Sequence, residues 1–341
     1  MIEVIMNFDP IIPSSLAIVM GLLAASMWGT WFISLKYLGK YPLEAFYITL
    51  FTTSMILVWG IGFTLDGPSL LGNLREVWQV DKSRLIVTFF CGMLYVAGMQ
   101  FSLRVIKLIG LSLSQPLSAS ISLIGGTLLS GLIGGVPEGL GLWRIVITSV
   151  FLMAAIFLTM KAGNSRNKAQ NEKHVDTGLS RDPKSIRLAV ILLIIGAVFT
   201  PAYSTALSYG LRSITQPSGM AVMPFMTILC SGAFTSALLI CGTTLTIRKQ
   251  WHVFWTNGFK IHKFGILSGL AHYGGNIIHT FATRNLSSVV SWPLGITAGL
   301  WTQMWGLIYG EFKGSPKRTY VYLFSGILCY LIGAFVISNV I

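Results

Sequence analysis

Ten apolar stretches, at 14–35, 45–65, 85–105, 109–135, 145–160, 188–209, 218–242, 264–283, 286–310 and 320–341, leave this chain little room for anything but a polytopic membrane fold. Roughly 20 helical residues cross a hydrocarbon core, and in lipid each backbone polar group must be satisfied within its own segment. The chain is therefore predicted to be an all-α integral membrane protein of ten transmembrane helices. Only 10% of its residues are charged, against about a quarter in soluble domains.

The net charge of +13 does not signal nucleic acid, because Lys and Arg lie between the spans. Eighteen of the 24 follow spans one, three, five, seven and nine. The positive-inside rule puts that side in the cytoplasm and both termini outside. Residues 1–13 hold Glu3 and Asp9 but no Lys or Arg, unlike the basic start of a secretory signal. Cys91, Cys230, Cys241 and Cys329 fall in apolar sequence and read as small packing residues.

The second half of the chain resembles the first. At an offset of 172, Leu16 meets Leu188, Trp31 meets Tyr203 and Tyr37 meets Tyr209. At an offset of 177, Gly92 meets Gly269, Gly98 meets Gly275, Lys107 meets Arg284, Ser114 meets Ser291 and Pro116 meets Pro293. A shared frame of glycine, base, serine and proline marks an internal repeat. The expected division is a first five-helix repeat at 1–160, a flexible basic cytoplasmic linker at 161–187 and a second repeat at 188–341. Five spans per repeat force opposite orientations, the inverted arrangement that alternating-access transporters build around a midplane site. Residues 66–84 read as a solvated mixed-charge loop.

One polar line stands out at membrane depth. Ser268, His272, Asn276, His279 and Thr283 recur at helical spacing on one face of span eight. Polar groups so placed mark a solute or ion path. Gln100, Gln115, Trp28, Trp31, Tyr203, Trp292 and Gln303 join Asn276 as candidate solute-binding residues. They offer aromatic faces and neutral hydrogen-bonding groups, which suit a neutral polyhydroxylated or amide-rich solute. No Asp or Glu lies in mid-span, which weighs against an exporter of cations. His272 and His279 are candidate proton carriers, since histidine titrates near neutral pH; the competing reading is a neutral ring satisfied by a neighbour. Pro116 and Pro293 are expected to break their helices. Gly98, Gly275, Gly295 and Gly299 offer small faces for close packing. No arrangement of nucleophile, base and acid, no metal-ligand run and no phosphate loop appears, so the sequence calls for no enzyme activity, cofactor or metal. Spans five and ten hold the fewest embedded polar groups and are free to face lipid or a second copy in a homodimer.

Two stretches resemble a known family. The run from Gly92 to Gly126, with Gly98, Gln100, Lys107, Ile109, Gly110, Ser112 and Pro116, looks like the third-to-fourth-span signature of the sugar-uptake branch of the drug/metabolite transporter superfamily. Leu300, Trp301, Trp305 and the continuous run from Gly306 to Gly314 resemble the end of its ninth span. That branch holds glucose/ribose uptake proteins, rhamnose/proton symporters, ureide permeases and eukaryotic carbohydrate-transporter-like proteins. The resemblance implies uptake of a sugar or similar solute, coupled to a proton or other cation, in a bacterial plasma membrane. The alternatives it leaves are an exporter of metabolites or drugs and a ureide or nucleobase permease. Met99, His272 and His279 depart from the pattern, which touches substrate identity. The long insertion of ureide permeases is missing from 161–187, favouring the carbohydrate members.

Overall fold

The computed structural model describes residues 8–109, 111–171, 187–189, 191–192, 195–196, 199 and 201–338. These are almost wholly helical, and no strand occurs among them. The helices are α1 (Ser14–Thr30, tightening into a 3-10 helix at Trp31–Tyr37), α2 (Leu43–Leu65), α3 (Ser69–Ile109), α4 (Leu111–Gly134), α5 (Leu142–Asn171), α6 (Ala202–Gly210), α7 (Val222–Ala237, continuing through a π turn to Ile247), α8 (Trp251–Thr256), α9 (Gly258–Leu286), α10 (Ser288–Ile296), α11 (Ala298–Ile308) and α12 (Lys317–Ser338). Among the described residues, six segments are long and apolar enough to cross a membrane: α1 with its 3-10 turn, α2, the Ser69–Ser102 part of α3, the Leu142–Ala169 part of α5, the Val222–Ile247 run and α12. A shorter apolar helix covers Ser118–Gly134. The long α9 falls outside that group because its own polar line dilutes its apolar character.

Three departures from the sequence reading have local causes. Much of the mixed-charge interval 66–84 is helix, the first part of α3, which kinks at Asp81 (φ −148°, ψ 73°). Leu70, Leu74 and Val77 recur at helical spacing and turn into the core while Arg75 and Glu76 face out, so amphipathicity holds the segment in place. Helix α5 runs on to Asn171, eleven residues past the apolar stretch and into the interval read as linker; positions 172–186 of that linker lie outside the described residues. The ninth apolar stretch is two helices. Pro293 sits inside α10, and the interruption comes four residues later at Thr297, whose Oγ1 donates to Leu294 O at 2.6 Å.

Packing pairs the helices across the two halves. Helix α3 lies along α7 and α9 along α2; α1 lies along α9 and α3 touches α6; α4 packs on α6 and α10 on α1. Helices α5 and α12, α4 and α10, and α2 and α7 also pair. Close approach needs small residues at equivalent places. A Cβ on Gly92 would meet Leu229 O of α7, and one on Gly269, 177 positions later, would meet Leu50 O of α2 at 2.6 Å. Helix boundaries share that offset: α3 gives way to α4 between Ile109 and Leu111, and α9 to α10 between Leu286 and Ser288. The single joining residue Ser287 takes φ +68°, a left-handed value that costs an L side chain energy. The corresponding position of the first half is Gly110.

Charges segregate to two ends. At one, Asp9 pairs with Arg284 (3.0 Å) and Arg212 (3.3 Å), and Arg84 bonds Asp81, Tyr209 O and Ser218. At the other, Glu311 joins Lys36 and Arg166, and Arg248 meets Glu44.

Candidate solute site between the two charged ends

The polar line of α9 faces inward, and each of its five residues finds a partner on another helix. Ser268 Oγ donates to Trp31 O at 3.0 Å. His272 Nε2 lies 2.6 Å from the Tyr95 hydroxyl of α3. Asn276 Oδ1 accepts the indole Nε1–H of Trp28 at 2.8 Å. His279 Nε2 donates to Ser291 O of α10 at 3.0 Å, and since a carbonyl can only accept, the proton is on Nε2. Thr283 Oγ1 meets Ser291 Oγ at 2.7 Å.

Aromatic rings close around this line. Trp28 lies 4.7 Å from His279 and 5.8 Å from Tyr203, centroid to centroid. Trp31 stacks on His272 at 5.2 Å. Tyr203 touches Tyr95, His279 and Trp292 at 5.6, 6.0 and 6.0 Å. Trp292 is tied down through Nε1–H to Ser122 O of α4 at 3.0 Å. Trp31, Tyr203 and Trp292 bury almost completely, at 4%, 2% and 6% exposed, while Trp28 and Tyr95 are partly buried.

Glycines make room for these rings. A Cβ on Gly275 would meet Trp28 Cδ1 at 2.9 Å, and one on Gly295 would meet Trp28 Cζ3 at 2.5 Å, so the two glycines form the slot that holds the indole. Gly126 gives way to Trp292 and Gly299 to Tyr330 in the same manner. The small-residue faces of the ninth stretch, expected to allow close packing, receive aromatic side chains of the chain itself. Gly98 lies against Phe199.

Trp28, Trp31, Tyr203, Asn276, Trp292, His272 and His279 therefore meet in one cluster. Gln100 does not share it: its Nε2 points to Cys241 Sγ of α7 at 3.5 Å. Gln303 sits half-buried on α11 and makes no hydrogen bond to the cluster. The side chains of Gln115 and Pro116 lie outside those described. Tyr95 and Ser291 are the members that sequence reasoning passed over. A signal existed for Tyr95, which occupies the repeat position of His272. Ser291 enters through its backbone carbonyl, which no side-chain pattern encodes.

Among the described residues, three polar atoms of this cluster have no hydrogen-bond partner: Nδ1 of His272, Nδ2 of Asn276 and the hydroxyl of Tyr203, on residues 3%, 1% and 2% exposed. Buried donors and acceptors left unpaired cost free energy. They are places where a solute can gain.

At the charged end near Lys36, burial alone would raise the Glu311 carboxyl, but the hydrogen bond and charge of Lys36, then those of Arg166, hold it below the usual carboxylate range. Tyr37 and Tyr309 add a hydroxyl contact at 3.0 Å, with Lys36 over the Tyr309 ring. This seam ties the end of the first span to the end of the ninth.

No protein-family model matches the chain. A probable glucose uptake protein, GlcU, of Staphylococcus epidermidis is 23% identical over 320 residues, covering 93% of this chain and 96% of its own length. The protein of the same name in Staphylococcus aureus is 24% identical over 325 residues, with the same coverage. Its apolar helices together with these relatives make the chain a multi-pass protein of a bacterial plasma membrane.

Proposed function

We propose that this protein is a secondary transporter of the sugar-uptake branch of the drug/metabolite transporter superfamily, taking up a sugar or sugar-like polar solute by alternating access and coupling it to a proton. The observation that carries the reading is the buried box of Trp28, Trp31, Tyr203 and Trp292 around Asn276, His272 and His279, built from helices of both halves and lying between two charged ends. Aromatic faces suit the C–H faces of a pyranose, and neutral amide and imidazole groups suit its hydroxyls. The glucose uptake names of the relatives agree.

The helix pairs described above exchange with one another when α1–α5 are swapped for α6, α7, α9, α10 and α12, which supports an inverted repeat. Trp59 donates to Ser231, its counterpart at the offset of 172, at 3.2 Å, a further contact across the same relation. In this arrangement the seams at Glu311 and at Asp9 are the inner and outer gates, and with both formed the box is occluded. Among groups lining the box, His272 and His279 are those whose ordinary titration lies near neutral pH, so proton coupling is assigned to them.

Purified protein in proteoliposomes should take up radiolabelled D-glucose with saturation, faster when the outside is acidic. The reading fails if D-glucose and related monosaccharides show no saturable uptake under either condition.

A further inference from the structure

Helix α9 presents two polar atoms without a partner to this cluster, beside the unpartnered Tyr203 hydroxyl, and their chemistry identifies what they would bind. Trp28 fixes the Asn276 amide, because an indole N–H needs an acceptor and so selects Oδ1. That leaves the Nδ2 amino group facing a dry interior without a partner. For His272 the tautomer decides. If Tyr95 donates to Nε2, the proton is on Nδ1 and one donor is left over. If Nε2 donates to Tyr95, both the bare Nδ1 and the phenolic proton are left over. The first arrangement strands fewer polar groups and is preferred.

Both atoms belong to α9, four residues and about one turn apart on the same face, where neighbouring Cβ atoms stand about 5–6 Å from each other. Trp31 stacks on His272 and Trp28 holds Asn276, so the rotamers are set before any solute arrives.

We propose that His272 Nδ1–H and Asn276 Nδ2–H form a donor subsite that takes oxygen acceptors of a neutral polyhydroxy solute, its hydroxyls accepting rather than donating there. Tyr95 is the positioning residue that keeps the His272 proton on Nδ1. The inference rests on the sugar-uptake reading above and adds the polarity of the contact. A solute rich in ether and hydroxyl oxygens is favoured, and a cation, which can only repel two donors, is excluded.

The test exploits the geometry of two amides. Asn at 272 places its amide at the position of Nδ1 and drops the reach to Tyr95; Gln places its amide near Nε2 and drops the Nδ1 donor. In purified protein, D-glucose affinity should weaken about tenfold in His272→Gln and stay within about threefold in His272→Asn. A purely structural Tyr95–His272 tie predicts the reverse order, and that result overturns the proposal. Should either variant fail to fold, the wild-type protein still decides through binding of monodeoxy and monofluoro glucoses. Fluorine accepts weakly and cannot donate, so at one or more ring positions the deoxy sugar should bind about tenfold worse while the fluoro sugar is largely retained. Equal losses for both analogues at every position overturn it. Absence of any sugar binding by wild type refutes the uptake reading itself, whereas glucose binding that His272→Gln leaves unchanged refutes the subsite alone.

Discussion

Tyr95 and His272, 177 positions apart and equivalent under the repeat, join their side chains through a 2.6 Å hydrogen bond. Under the inverted repeat proposed above, counterparts that touch lie at the axis relating the two halves. On that reading a tyrosine faces a histidine at the axis, and the proposed site has one donor-rich side.

The slot for Trp28 depends on the absence of two side chains. Gly295→Ala puts a methyl 2.5 Å from Trp28 Cζ3 and 3.2 Å from His279 Nε2, a fully buried ring. Overpacking of this kind costs about 1–3 kcal/mol. A lower melting temperature, altered tryptophan emission and lost uptake are expected. Gly60→Ala, with nothing within 4 Å of the added methyl, is the control and should be neutral or stabilising by about 1 kcal/mol or less.

Trp28→Phe keeps a ring in the slot but removes the donor to Asn276. The amide then loses its orientation and leaves a buried oxygen unpaired, a cost of about 1–3 kcal/mol. Glucose uptake should fall about tenfold or more, with the effect in KM as well as kcat. Unchanged KM would mean that the indole hydrogen bond has no bearing on solute contact.

Protonating Glu311 should open the seam it makes with Lys36 and Arg166. Its carboxyl is held below the usual value in the folded protein, so the stabilisation is present at pH above the unfolded value, about 4.3, and disappears as pH falls through the lower folded value. Glu311→Gln should remove this acid-dependent part. Thermal unfolding followed from pH 7 to pH 3 should show a shallower acid limb in the variant, and uptake bias between the two membrane faces should shift at neutral pH.

Asp9 anchors the chain ahead of α1 to Arg284 and Arg212, with its side chain 8% exposed. Asp9→Asn leaves two guanidinium groups without their carboxylate, a loss of about 2 kcal/mol for charged hydrogen bonds. Amide exchange across residues 8–13 should accelerate while exchange in α5 and α12 stays unchanged.

Orientation can be read by labelling. Lys40 and Glu138 are both exposed in connections on opposite ends of the helices. In intact cells, Lys40→Cys should resist an impermeant thiol reagent and Glu138→Cys should react. Cys91, Cys230 and Cys241 are buried and contribute little background. The reverse pattern would invert the topology inferred from the basic loops.

The site was legible in part, and the limits have physical causes. The spacing of Ser268, His272, Asn276, His279 and Thr283 announced one buried face, because hydrocarbon does not tolerate that many polar groups toward lipid. Gln100 looked equally polar and yet turns to Cys241, since one amide on an apolar helix carries no period to show its direction. Helical extension through 69–80 was hidden by its charges, which read as a loop until their helical spacing was seen against a buried Leu70. The break at Thr297 lies beyond Pro293 because a proline is tolerated inside a helix when neighbours satisfy the freed carbonyl.

Residue order was enough for the helical membrane class, the inward face of α9 and the frame shared at the 177 offset. Each is a local or periodic property, set by hydrocarbon and backbone hydrogen bonding. Tertiary structure alone decided that Gly275 and Gly295 house Trp28, that Trp28 orients Asn276, and that Tyr95 meets His272. Those contacts join residues 177 to 267 positions apart, and where such helices approach depends on the close packing of glycine against backbone, which no run of residues read alone reports.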